Sequence, residues 1–172
     1  MGKGGVILGI IGILLGAGGL GFAFITWNTQ NTIQTQLANY EAGETWYRYY
    51  EDIYDVDIIN TYLTIPNMSL SIDLSKVSSV DLLFTCQAYT IGTAGRSDLT
   101  FYFYVDELII SNPNIRVGTY DGAPTTYYHS VSFVYFSESW SIGTHNISVF
   151  VRSTVDTNSI QYCALTAQSF PA

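Results

Sequence analysis

The chain has 172 residues, of which 48% are hydrophobic and only 12% are charged, and its formal net charge is −8. This length predicts one domain with an appended segment. The acidic balance argues against binding to nucleic acid or to an anionic lipid surface, so we expect no nucleic acid among its partners.

The chain opens with a glycine-rich apolar segment, "GGVILGIIGILLGAGGLGFAF", and residues 6–27 carry no charge. At about 1.5 Å per residue, a helix of this length spans the ~30 Å hydrocarbon core of a bilayer. A cleaved signal peptide is the alternative, but the apolar run is longer than a typical signal-peptide core and lacks a small-residue cleavage site. We therefore predict a transmembrane helix over residues 1–27, with residues 6–27 in the membrane.

The glycines follow a heptad spacing that continues into the polar sequence "NTQNTIQTQLANY". The a and d positions are Gly5, Gly9, Gly12, Gly16, Gly19, Ala23, Thr26, Gln30, Ile33, Leu37 and Tyr40. Small residues let helices approach closely in lipid, whereas the apolar residues after Gln30 suit a coiled coil in water. The pattern predicts a self-associating helix with a polar helical stalk over residues 28–45. The alternative is that glycine is simply common in membrane helices.

Two features predict the orientation of this helix. Lys3 precedes the span, and the next basic residue is Arg48, which favours a cytoplasmic N-terminus. Asn67 ("NMS") and Asn146 ("NIS") lie in glycosylation sequons, as expected of an extracellular segment. We predict a protein of the cell membrane or envelope whose C-terminal part is extracellular.

An acidic and tyrosine-rich segment, "EAGETWYRYYEDIYDVD", follows the stalk. Asp52, Asp55 and Asp57 are candidate cation ligands, because hard cations bind clustered carboxylates. The segment lacks the glycine and the ligand spacing of a calcium loop, so we favour a solvated collar over residues 46–59. We expect neither a metal nor another cofactor.

From residue 60 the chain alternates apolar and polar residues in short runs between turn residues. The clearest runs are "MSLSIDL", "SVDLLFTCQAYT", "DLTFYFYVDELII", "YYHSVSFVYFSE", "GTHNISVFVRST" and "SIQYCALTAQSF". The predicted inward residues include Val80, Leu82, Phe84, Cys86, Ala88, Phe101, Phe103, Val131, Phe133, Ile147, Val149 and Val151. This period of two, without crossover helices, predicts an all-β sandwich or barrel.

The stretches "TIPNMSLSIDLSKVSSVDLLFTCQAYT", "FYFYVDELII" and "HSVSFVYFSESWSIGTHNISVFVRS" resemble a jelly-roll head of the tumour necrosis factor and complement-head type. The shared elements are a lead-in of the form T-x-x-P-x-x-S-x-S, a long strand ending in V-D, and a G-T-H turn before a strand of alternating Val and Phe. The resemblance implies a jelly-roll head over residues 60–172 and a compact homotrimer, often carried on a stalk or a membrane helix. No receptor-contact motif is recognisable, so we infer no cytokine role.

The resemblance also bears on the two cysteines, Cys86 on an early strand and Cys163 on the last strand. The first and last strands of a jelly roll are sheet neighbours, so a disulfide fits the geometry. An extracellular location would permit one. Two buried free thiols are the alternative, and the spacing carries no zinc signature.

Nothing in the sequence marks a catalytic site. His129 and His145 are the two histidines, and neither belongs to a recognised catalytic motif. We expect no enzyme, and a hydrogen-bonding role for His145. The acids after residue 60 are spread along the chain, which predicts a solvated exterior; they include Asp73, Asp81, Asp98, Asp106, Asp121, Glu138 and Asp156.

Three classes of function survive, of which the third, an unrecognised hydrolase, is the one we do not expect. The first is a membrane-anchored, self-associating surface protein, a trimer by preference, whose head binds an unknown external ligand and so mediates adhesion. The second is a structural subunit of an extracellular filament or spike, in which the N-terminal helices form the core, as in pilins.

Overall fold

The computed structural model of the chain describes residues 43–92, 95–120 and 122–171. Within those ranges no helix is long and apolar enough to cross a membrane. The predicted transmembrane helix, the stalk up to residue 42 and the seam from Gly5 to Tyr40 lie outside the described residues.

The described part of the chain consists of β-strands and their connections. The strands are β1 (Thr45–Tyr50), β2 (Tyr54–Val56), β3 (Leu63–Leu74), β4 (Ser78–Ile91), β5 (Ser97–Val105), β6 (Leu108–Thr119), β7 (Thr126–Trp140), β8 (Gly143–Ser153) and β9 (Asn158–Pro171). The prediction of an all-β head is therefore confirmed.

The strands form two antiparallel sheets that pack face to face. We call the first the β1 sheet; its order is β1-β9-β4-β7, and β2 pairs with β9 beyond the end of β1. The second, the β3 sheet, has the order β3-β8-β5-β6. Sequence neighbours thus lie in different sheets at several points, which is the double Greek key of a jelly roll.

The alternating residues fill the space between the sheets, as their period of two predicts. Phe84 and Phe101 are fully buried at 5.8 Å between ring centroids, and Phe103 and Phe133 lie 4.4 Å apart. The predicted inward residues are all buried: Val80, Leu82, Phe84, Cys86, Ala88, Phe101, Phe103, Val131, Phe133, Ile147, Val149 and Val151. Tyr102 and Tyr104 lie on the opposite face of β5 and are partly exposed.

The predicted boundary of the head at residue 60 is wrong. Residues 46–59 are not a separate collar, since β1 pairs along its whole length with β9 and β2 pairs with the first residues of β9. Trp46, Tyr50 and Tyr54 pack against the core, and Val56 is fully buried. The compact unit extends from residue 42 to residue 172, and its first strand begins at Thr45.

The stretch 98–110 contains the end of β5, a turn and the start of β6. Val105 ends β5 and Leu108 begins β6, with Asp106 and Glu107 between them at φ angles of 47° and 67°. Two successive positive φ angles are typical of the tight hairpin turn that matches the twist of the strands. The strand does end at V-D, as the resemblance implies.

Candidate functional site

The three acidic candidates for a cation site do not converge. Asp55 lies in β2 opposite Ser159, and Asp52, Asp55 and Asp57 all have exposed side chains. In the described ranges no group of three or more His, Cys, Asp or Glu side chains is placed to hold a metal ion.

The two cysteines are brought together by the pairing of β4 with β9. Cys86 lies where the register shifts, opposite the segment that contains Cys163. Both are buried free thiols in the structure. Burial raises the pKa of the Cys86 thiol, and the hydrogen bond with Cys163 raises it further. A thiol with a raised pKa is a poor nucleophile at neutral pH.

Both sequons lie on the β3 sheet with exposed asparagine side chains. Asn67 occupies the irregular part of β3 with a φ of 59°, and Asn146 lies in β8. The backbone N–H of Asn146 donates to Asp106 Oδ1 at 2.8 Å, so this hydrogen bond does not involve the Asn146 side chain.

The buried His145 pairs with the exposed Asp106 at the turn between β5 and β6. Its Nδ1 lies 2.6 Å from Asp106 Oδ2 and its Nε2 lies 2.9 Å from the carbonyl oxygen of Ser141. Both partners are acceptors, so the protonated ring can donate to both of them. Burial alone would lower the pKa of His145, but the bonds to Asp106 and Ser141 outweigh it and the pKa is raised. This is a structural hydrogen-bonding role.

The His145–Asp106 pair predicts a pH-dependent stability. The raised pKa of His145 gives a contribution that is complete below about pH 6.5 and lost as the pH rises through the folded-state pKa. The pKa of Asp106 is lowered by its bonds to His145 and Asn146, which outweigh burial, so its contribution is lost only as the pH falls below about 3.8. We expect His145→Gln to lower the free energy of unfolding by about 1 kcal/mol at pH 5 and by less at pH 8, where the ring of the unmodified chain has lost its charge. The effect is modest because Asp106 is partly solvated.

Urea unfolding at pH 5 and pH 8 measures this difference. His129→Gln is the matched control, because the pKa of His129 is lowered by burial and no carboxylate pairs with it among the described residues. A His145→Gln cost that is equal at both pH values would contradict the charged state of the ring.

The outer face of the β3 sheet carries a cleft between two arginines. Arg116 on β6 and Arg152 on β8 both pair with Thr100 on β5, so Thr100 lies between them. We call this the arginine cleft. Its volume is about 370 Å³, and it is lined by Asn60, Thr100, Tyr102, Asn114, Arg116, Arg152 and Thr154. No acidic residue is among them.

The two arginines are held in different ways. Arg116 forms an ion pair with Asp98, which also pairs with Arg96 at 2.5 Å. Arg152 donates to Asn60 Oδ1 at 3.1 Å and its guanidinium carbon lies 5.9 Å from the ring centroid of Tyr62. No ion pair among the described residues involves Arg152, and its buried Nε has no hydrogen-bond partner there.

An aromatic wall borders the arginine cleft. Tyr62 meets Tyr102 edge to face at 5.2 Å, and Tyr104 stacks on Phe150 at 4.4 Å. Burial and the neighbouring Tyr62 raise the pKa of Tyr102, although Arg152 and Thr100 partly oppose this. The tyrosine hydroxyl therefore stays protonated and remains a hydrogen-bond donor at neutral pH.

The sequence did not single out the arginine cleft, and it misplaced one acid. Asp98 is predicted to belong to a solvated exterior, but it is only 4% exposed beneath Arg96 and Arg116. Gly118 lies opposite Asp98, where an added Cβ would lie 2.1 Å from Asp98 Oδ1, so glycine leaves the space that the carboxylate fills. The one sequence signal for the cleft is that the chain has only six basic residues, so that each arginine is notable. The register of the strands is needed to show that Arg116 and Arg152 lie on either side of Thr100.

The outer face of the β1 sheet carries a group of exposed apolar side chains. One row of paired residues crosses all four strands: Tyr47, Thr166, Leu83 and Val134. Tyr47 is 56% exposed, Leu83 38% and Val134 52%, and Phe136 beside them is 52% exposed. We call these five residues the apolar face. The outer faces of antiparallel sheets are normally polar, so this one is typical of a surface that binds another protein.

No protein-family model and no curated protein matches the chain. Solved structures match at the level of the fold. Eiger TNF from S. frugiperda is 7% identical with a TM-score of 0.42, over 77% of this chain and 96% of that one. A structure of infectious bursal disease virus, Gx strain, is 11% identical with a TM-score of 0.45, over 75% of this chain and 32% of that one.

A family 35 carbohydrate binding module from Clostridium thermocellum is a third match, 15% identical with a TM-score of 0.32. The match covers 77% of this chain and 100% of the binding module. At these identities the matches speak to the fold alone. The order of the strands in the two sheets is itself that of a jelly roll.

Proposed function

We propose that this protein is a membrane-anchored, self-associating extracellular surface protein whose jelly-roll head binds an external ligand. The apolar face of the β1 sheet is the observation that carries self-association. Burying Leu83, Val134, Phe136 and Tyr47 against another protein would remove a large apolar area from water.

A second copy of the chain is the partner that the sequence favours for this face. The small-residue seam from Gly5 to Ala23 predicts association of the N-terminal helices. Tethering would raise the effective concentration of the heads to about the millimolar range, which makes even a weak head-to-head contact populated. A homotrimer is the assembly that the family resemblance implies.

The expected assembly is tested on the full chain in detergent by light scattering. Leu83 and Val134 are paired across β4 and β7, so Leu83→Lys combined with Val134→Glu removes the apolar face and leaves a cross-strand ion pair in each head. We expect a trimer for the unmodified chain. Adding Gly12→Leu and Gly16→Leu to the face variant should give a monomer, because both contacts are then lost.

Ile142→Lys in the Gly12→Leu, Gly16→Leu background is the matched control. Ile142 is 65% exposed in the turn between β7 and β8, away from the paired row, so this variant should associate more than the face variant does. An unchanged mass for the fully substituted face variant would overturn the proposal. Large assemblies that sediment as fibres would instead support the filament subunit.

A further inference from the structure

We propose that the arginine cleft binds an acidic saccharide through its carboxylate, a hexuronic acid being the simplest such unit. This deepens the binding role proposed above and rests on it. It does not depend on the oligomeric state, because the cleft is on the β3 sheet and the apolar face is on the β1 sheet.

Charge is the first argument for an anionic ligand. Arg96 and Arg116 share the carboxylate of Asp98, and Arg152 has no ion pair among the described residues. Three guanidinium groups therefore face one carboxylate, so this corner of an otherwise acidic protein is positively charged. Guanidinium groups bind planar carboxylates with two parallel hydrogen bonds. Arg152 has donors to spare, since it makes one hydrogen bond to Asn60 and no ion pair among the described residues.

The position of Thr100 is the second argument. Neighbouring strands lie about 4.8 Å apart, so the backbones of Arg116 and Arg152 are separated by roughly twice that distance. The short Thr100 side chain forms the floor between two long side chains that pair with it on either side. An anion that enters over Thr100 can therefore be approached by both guanidiniums.

The uncharged lining argues for a sugar rather than for a bare anion. Asn60, Asn114 and Thr154 offer amide and hydroxyl groups that both donate and accept hydrogen bonds, as vicinal sugar hydroxyls require. Tyr102 adds an aromatic surface with a protonated hydroxyl. The volume of about 370 Å³ lies at the small end of the ~300–1,000 Å³ range of ligand pockets, which suits a saccharide of one or two rings.

The test uses the full chain in a sugar-free detergent, with saturation-transfer NMR and titration by glucuronic acid. Glucuronamide is the matched ligand, because it keeps the ring and the hydroxyls but loses the charge. We expect glucuronic acid to bind with a dissociation constant of about 1 mM or below, and glucuronamide to bind at least about tenfold more weakly.

Variants locate the binding to the cleft. Arg152→Gln should weaken glucuronic acid binding at least about tenfold, since it removes a charged donor. Thr100→Leu should weaken it as well, by filling the floor without changing the charge. Arg48→Gln is the control, because Arg48 lies on β1 in the other sheet, and it should bind like the unmodified chain. Thermal unfolding of each variant verifies that it is folded.

Four results would overturn the inference: no binding of glucuronic acid at 10 mM, equal binding of glucuronamide, full binding by folded Arg152→Gln and Thr100→Leu, or displacement by an equal concentration of inorganic phosphate. The last would show a general anion site. Binding by the Leu83→Lys, Val134→Glu variant should equal that of the unmodified chain, so a failure of self-association and a failure of the cleft are distinguishable.

Discussion

A chain that begins at residue 60 is expected to lose most of its stability, whereas a chain that begins at residue 42 folds. The shorter chain lacks β1 and β2 and with them the fully buried Val56 and the partly buried Trp46 and Tyr50. It also leaves the outer edge of β9 unpaired. Together these losses amount to about 5 kcal/mol or more, which is comparable with the whole stability of a typical domain.

Far-UV circular dichroism during urea unfolding of the two chains measures this effect. The exposed edge of β9 should also make the shorter chain aggregate, because unpaired strands recruit other strands. Equal unfolding midpoints for the two chains would show that β1 and β2 are accessory to the head, as the predicted collar would have been.

Asn158→Leu is expected to destabilise the head by about 3 kcal/mol. Asn158 is fully buried at the start of β9. Its Oδ1 accepts from Ser97 Oγ at 2.8 Å and from the amide of Ile91 at 3.3 Å. Its Nδ2 donates to the carbonyl oxygen of Asp98 at 3.2 Å and to Ser153 Oγ at 2.9 Å. One amide thus joins β4 and β9 of the β1 sheet to β5 and β8 of the β3 sheet.

Leucine keeps the approximate volume of Asn158 but removes its hydrogen bonds to four polar groups in the interior. The carbonyl of Asp98 and Ser153 Oγ keep bonds to Thr154 and Val155, whereas Ser97 Oγ and the amide of Ile91 lose the bond to Asn158. Asn146→Leu is the control, because that asparagine is exposed and a surface substitution costs less than about 0.5 kcal/mol. Urea unfolding midpoints compare the two variants. A cost for Asn158→Leu no greater than that for Asn146→Leu would mean that the network contributes nothing net.

A comparison of β4 with β1 shows which strands can be predicted from the sequence and which cannot. The alternation of Val80, Leu82 and Phe84 predicts β4 and its inner face, because a half-buried strand needs apolar residues at every second position. β1 has no such signal: its burial pattern is irregular, and its outward Tyr47 is as aromatic as its inward Trp46. The acidic residues around β1 favour the prediction of a solvated collar. In the structure β1 is a strand because it pairs with β9.

Asp106 and Glu107 show a second kind of limit. Neither is a glycine or an asparagine, so the turn between β5 and β6 has no strong local signature in "FYFYVDELII". The bonds of Asp106 to His145 and to the amide of Asn146 hold the turn from β8. A contact 39 or 40 residues away therefore decides a local conformation.

The sequence by itself determined most of the long strands and their inner faces, because burial between two sheets imposes a period of two on each of them. The jelly-roll class followed from the resemblance of these stretches to a known family. Only the tertiary structure decided which residues meet: Arg116 with Arg152 across Thr100, Asp98 beneath its arginines, and Asn158 between the sheets. The physical reason is that burial selects an apolar residue at each inward position, which the sequence of a single strand shows. Partnership depends on register between strands that are far apart in the chain, and any one strand carries no mark of it.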